Sequence, residues 1–200
     1  MGPGGVLSQS STRTKLFLIV GAIILVIMGV IVALGLFFGG STLTKYTNSE
    51  EGYSILVPTA YTTIGSGKDV QFFKSGTENN TDSSFIRIVT NTIVNVDNLT
   101  DDALVAEIDS NIQTAVDKTN SASETNGIGN NMIISKSNSS DLTIWTQTAD
   151  LLVDGKTAGQ YQKITYLSGM KMYSVEITSY NSESILQDNM TKIIDSFTVQ

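Results

Sequence analysis

The chain has 200 residues, with 12 basic and 19 acidic side chains, a net charge of −7, and neither His nor Cys. That excludes a disulfide framework, a Cys/His zinc site, a thiol nucleophile and a histidine general base. The acidic balance also argues against a phosphate-binding surface, so no nucleic-acid partner is expected.

Residues 1–15, MGPGGVLSQSSTRTK, are polar and Gly-rich with no hydrophobic period, and they read as a disordered tail. Leu16 to Phe38 then runs 23 positions without a charge or a side-chain hydrogen-bonding group. A helix of that length reaches roughly 35 Å, enough to cross a bilayer core with some tilt. A secretory signal has a shorter apolar core and a small-residue cleavage box, and Phe37-Phe38-Gly39-Gly40-Ser41 offers no such box. Residues 16–38 therefore read as a retained signal anchor, with the lipid bilayer as their partner. Arg13 and Lys15 flank its N-terminal end, while no charge follows before Lys45. The positive-inside rule predicts a cytoplasmic N-terminus and a C-terminal domain outside the cell membrane.

Residues 39–45 read as a tether and 46–200 as the extracytoplasmic domain. All 19 acids and 10 of the 12 basic residues lie beyond position 40, and Ser, Thr and Asn fill 56 of those 160 positions. That composition suits a solvated surface. Tyr53–Pro58 reads as a strand stopped by proline, Asp69–Lys74 as a second and Ser84–Asn91 as a third. From Leu99 to Lys118 the period changes: Leu104, Ile108, Ile112 and Val116 recur every four residues and predict one apolar stripe on a helix. Asn98 or Thr100 can cap it, and Asp101 and Asp102 suit its positive end.

Four further strands are expected at Met132–Lys136, Leu142–Val153, Gly159–Leu167 and Lys171–Ser179, with tight turns at Asp154-Gly155 and Ser168-Gly169. Ser182 is expected to cap a last helix carrying Leu186, Met190, Ile193 and Phe197 on one face. The order is β-β-β-α-β-β-β-β-α. It predicts an α+β fold with a largely antiparallel sheet and helices on its faces. The expected core includes Ile55, Val57, Ile86, Ile88, Leu104, Ile108, Ile112, Val175, Ile177, Ile193 and Phe197.

That order and two local patterns resemble the PsbP-like family, whose α/β/α sandwich is shared with a Ran-binding nuclear protein family. The first pattern is Tyr46-Thr-Asn48-Ser-Glu50-Glu-Gly52-Tyr53-Ser-Ile55-Leu-Val57-Pro58 followed by Tyr61, which stands where members usually carry Trp. The second is the closing helix, Ile185 to Phe197. The resemblance covers about residues 46–200 and implies an α/β/α sandwich in a membrane-anchored form, with a non-enzymatic, accessory character. No His is present to imitate the ion-site residues of thylakoid members, so the photosynthetic role is not carried over.

Motifs that could carry chemistry dissolve on inspection. Gly65-Ser-Gly67-Lys68 lacks the first Gly and the Ser/Thr of a P-loop and reads as a turn. Ser168-Gly-Met-Lys171 and Lys156-Thr-Ala158 stand in the reverse order to penicillin-recognising enzymes. Asp97, Asp101 and Asp102 lack calcium-loop spacing and are better explained as helix-capping acids. Trp145, Tyr161, Tyr166 and Tyr173 are expected in the core, with a ligand-facing aromatic face as the alternative. Asn-x-Ser/Thr sequons occur at Asn79, Asn98, Asn138 and Asn189. No catalytic, cofactor-binding or metal-ligating residue is singled out. The expectation is a non-catalytic module that binds a protein or envelope component. Its rivals are an envelope hydrolase working through carboxylates and a carrier of a small apolar ligand between sheet and helix.

Overall fold

Strands form here where β-branched and aromatic residues alternate with polar ones, and several hairpins close on glycine. A computed structural model of the protein describes residues 43–74, 77, 83–93, 101–139 and 142–200. All belong to the unit Ser41–Gln200, which separates from Met1–Gly40. The expected tail, the span 16–38, the start of the tether, Asp97, and the sequons at Asn79 and Asn98 lie outside the described residues. Among the described residues no helix is long and apolar enough to cross a membrane.

The elements are β1 (Leu43–Asn48), β2 (Tyr53–Pro58), β3 (Tyr61–Ser66), β4 (Asp69–Lys74), β5 (Phe85–Thr92), α1 (Asp101–Ser121), β6 (Gly127–Ile128), β7 (Ile133–Ser139), β8 (Leu142–Val153), β9 (Lys156–Ser168), β10 (Lys171–Tyr180), α2 (Ser184–Asp195) and β11 (Thr198–Val199). The larger sheet runs β3-β4-β5-β10-β9-β8-β6, with β7 also on β8, and a smaller one runs β1-β2-β11. Every pairing is antiparallel. Among the described residues the result is a sheet-rich antiparallel α+β fold with two helices, as expected in outline.

Four strands correct the expected order. Leu43, Thr44 and Lys45, read as tether, pair with Pro58, Val57 and Leu56, so the folded domain starts earlier. β3 is an edge strand exposed at every position after Tyr61 and so carries no alternating signal. β6 and β11 have two residues each, too short for any period to register. The second hairpin turn also moves by one residue: Ser168 pairs with Lys171, leaving Gly169-Met170 as the loop, with Gly169 at φ +54°. Asp154-Gly155 is the loop it was expected to be, with φ +51° and +72°, the mirror-image turn that suits strand twist.

The last helix differs at both ends. Its N-cap is Glu183, not Ser182, and no side chain caps it. Glu183 instead reaches Lys74 at 3.1 Å. The helix stops at Asp195, so Phe197 lies beyond it and stacks on Tyr166 and Tyr53.

Alternation along each strand gives the large sheet two inner faces. On one face Tyr173, Val175 and Ile177 of β10 and Ile164 and Tyr166 of β9 meet β2 and α2. This is one continuous cluster of 16 buried side chains that also takes in Val70 and Phe72 of β4 and Ile86 and Ile88 of β5. The other face lies under α1. Ten of the eleven expected core residues are buried; Ile112 is only half-buried. Gly159 allows the close approach of β9 to β10, because a Cβ there would collide with the Ser179 carbonyl.

Candidate functional site

The structure places each motif weighed in the sequence. Gly65 to Lys68 form the end of β3 and its turn into β4, with Gly67 at φ +61°. Asp101 and Asp102 sit in the first turn of α1, where its dipole favours them. Trp145, Tyr161, Tyr166 and Tyr173 are all buried. Asn138 is exposed on β7, whereas Asn189 is buried in α2 with its amide bonded to the Ile185 carbonyl at 2.9 Å. Among the described residues no three His, Cys, Asp or Glu side chains gather as metal ligands would.

Lys171 belongs to a joint rather than to a nucleophile motif. It lies 3.5 Å from the buried Glu51 carboxylate, and the Tyr173 hydroxyl donates to the Glu51 carbonyl at 3.1 Å. Asn48 accepts from the Glu51 amide at 3.1 Å and donates to the Gly67 carbonyl at 2.9 Å and the Tyr53 hydroxyl at 3.3 Å. Burial and its surroundings push the Tyr53 hydroxyl up to about 12, against the lowering effect of the Asn48 bond. Asn48, Glu51 and Tyr53 thus tie the β1–β2 turn to the β3–β4 and β9–β10 hairpins.

The feature that packing alone does not explain is under α1. The apolar contacts of this helix fall into two islands. Leu104 and Ile108 meet Trp145 and Leu167 at one end, while Val116 meets Met132, Ala149, Leu151, Tyr161 and Tyr180 at the other. Ile112 touches both. Between them lies a cleft of about 240 Å³ lined by Ile108, Asn111, Ile112 and Ala115 of α1 and by Met172 of β10.

Its floor is polar: Gln147 of β8, Lys163 and Thr165 of β9, and Ser174 of β10. Register brings them together, since Gln147 pairs with Lys163 and Thr165 with Ser174. Gln147 is buried, and among the described residues its amide donates to the Met132 sulfur, at 3.6 Å, a weak acceptor. The Thr165 and Ser174 hydroxyls are 3.4 Å apart. Among the described residues Lys163 has no acidic partner within ion-pair distance. Glu176 stands directly opposite it on β10, and its charge also acts on the Tyr161 hydroxyl. Burial first, and then that carboxylate, push Tyr161 above the ordinary tyrosine range.

Next to Ile108 on α1, Asp109 accepts from Lys136 at 2.7 Å and from the Trp145 indole. Lys136 also stands 5.5 Å over the Trp145 ring. Burial would raise the Asp109 carboxyl, but the bonds from Lys136 and Trp145 and the Lys136 charge outweigh it and hold it low. Further along the same row-and-column pattern, Arg87 grips Asp69 through two bonds of 3.0 and 2.7 Å. The Arg87 bond holds the Asp69 carboxyl below its ordinary range.

The comparisons with known proteins bear on the whole described domain. A family model for PsbP matches residues 41–199. The chain belongs to the PsbP family. Its structure is similar to the solution structure of cyanobacterial PsbP (CyanoP) from Synechocystis sp. PCC 6803, with a TM-score of 0.54 and 14% identity over 80% of this chain and 94% of that one. At that identity the likeness speaks for the fold. No curated protein matches the sequence.

The match over 41–199 begins five residues before the resemblance read from the sequence, and it takes in all of β1. The Tyr46–Pro58 pattern that carried the resemblance is a PsbP-family element spent on an internal joint. The floor of the cleft was not visible as a site. Gln147, Lys163, Thr165 and Ser174 sit at alternating positions of their strands, where a polar residue ordinarily faces water. Only the register of three strands, with a helix laid above them, reveals that these positions are covered.

Proposed function

We propose that this chain is a single-pass membrane-anchored, non-catalytic accessory module whose PsbP domain binds a protein or envelope component outside the cell membrane. The observation that carries the reading is the family match across residues 41–199. PsbP-family proteins are generally non-enzymatic accessory proteins that interact with protein complexes. The uncharged run from Leu16 to Phe38, with Arg13 and Lys15 before it, supports the anchor and its orientation. The acidic, Ser/Thr/Asn-rich surface supports a domain held in solvent rather than against anionic headgroups.

Crosslinking in intact cells, followed by affinity isolation of the full chain and mass spectrometry, tests the accessory role. A small set of membrane or envelope proteins should recur, with crosslinks on the domain. Recovery of no partner, with turnover of a glycan or peptide library by the chain, would overturn it. Protease added to the same cells should remove the C-terminal domain; full protection would reverse the orientation.

A further inference from the structure

We infer that the cleft under α1 is a binding site for a small amphiphilic carboxylate, its acid on Lys163 and its apolar part against Ile108, Ile112 and Met172. This goes beyond the accessory role and stands apart from it, because it rests on the cleft's own residues and not on any macromolecular partner.

Four observations converge. The space lies between a helix and three strands and is open to solvent on one side, with a volume of about 240 Å³, large enough for a small organic molecule and far larger than a single water. Its helix wall is aliphatic at Ile108, Ile112 and Ala115, with one polar residue, Asn111, among them, and Met172 is the lining side chain best able to adapt to a guest. Its floor gathers polar groups where the same sheet's other face carries Ile, Val and Tyr. Those groups are poorly served from within: Gln147 by a thioether, Thr165 by a 3.4 Å contact, and Lys163 by no acid at ion-pair distance among the described residues.

A buried amide and the ammonium of a half-buried lysine both gain from an acceptor that brings negative charge, since charge-assisted bonds are the strong ones. A carboxylate can take a bond from Lys163 and one from Gln147 or a floor hydroxyl together. A cationic guest would meet the Lys163 charge, and a neutral alcohol could not neutralise it. Of the neighbouring acids, Asp109 is taken up by Lys136 and Trp145, and Glu176, opposite Lys163 on β10, lies beyond ion-pair distance of it.

The test uses the full chain in lipid nanodiscs, with saturation-transfer NMR of benzoate, benzyl alcohol and benzylamine against empty discs. These probes share a ring and differ in the charge of the head. Benzoate should show transfer above the empty discs and bind at least about tenfold more tightly than the other two. Lys163→Met keeps the unbranched apolar stem and should lose about that factor, while Lys163→Arg should keep binding. Ala115→Trp adds a ring from an exposed helix position at the mouth, so it should block benzoate while leaving the thermal unfolding midpoint in place. Absence of transfer above empty discs, equal binding of the three probes, or unchanged binding in Lys163→Met would each overturn the site. None of these results bears on whether crosslinked partners are found, so the two readings fail separately.

Discussion

The two faces of the large sheet are built from the same strands by alternate residues, yet they are packed differently. The face toward α2 and the small sheet is one cluster in which Tyr53, Phe72, Ile86, Ile88, Ile177, Leu186 and Ile193 have no exposure above 0%. The face toward α1 has two islands with Gln147, Lys163, Thr165 and Ser174 between them. Burial of apolar area is the main favourable term in folding. The first face therefore holds the domain together, and the second leaves room beneath the middle of α1.

Charge placed on each face should separate them most sharply. In a fragment spanning residues 41–200, Ile177→Asp should abolish the cooperative urea transition, because the carboxylate would stand unpaired at the centre of the continuous cluster. Ile108→Asp should leave a folded domain weaker by about 3 kcal/mol, since an acid there borders the cleft and can reach water. Equal losses at the two positions would break the distinction between the faces.

The joint formed by Asn48 should rank next. Asn48→Ala removes acceptor and donor together, leaving the Glu51 amide and the Gly67 carbonyl short of a partner at a buried turn. A loss of about 2 kcal/mol in the same urea experiment is expected. A change within a few tenths would mean that the three turns hold one another without it.

The same contrast explains what could be read from the residues alone. The continuous face was legible because β-branched and aromatic side chains recur with period two through β2, β5 and β10, and each such run has one physical explanation. The stripe of α1 was legible for the same reason, at period four. β3 was not, because an edge strand exposed on both sides imposes no pattern on Tyr61–Ser66. β1 was hidden by its polar composition beside an apparent tether. Lys163 and its neighbours were hidden more deeply. Their alternation predicts outward-facing side chains, and the helix that covers them is contributed by a segment far away in the chain. Ser182 misled because capping chemistry was read from residue type, whereas the chain begins the helix after Glu183 and uses that side chain on Lys74.

The smallest expected effect is also the most local, because Trp145 is the chain's one tryptophan and lies in the island nearest the helix start. Its indole donates to Asp109, whose carboxyl is held low by Lys136 and Trp145 against the opposing pull of burial. A depressed folded-state value means that the carboxylate contributes stability above its unfolded value, near 3.9, and loses it as the pH falls through the lower folded one. The Asp109 and Lys136 side chains are 40% and 34% exposed, so solvent screens the pair and its contribution is about 0–1 kcal/mol. Emission from Trp145 should therefore stay constant as acid is added through the ordinary carboxylate range and shift only below it. Asp109→Asn keeps an oxygen for the indole but has no proton to gain, so its emission should be flat over the same span. Its stability should fall short of the parent's at neutral pH and converge with it in acid. A Trp145 shift centred at the ordinary value would show that Asp109 is not held by the helix-side island, and the α1 end would then be looser than the contacts of Leu104 and Ile108 require.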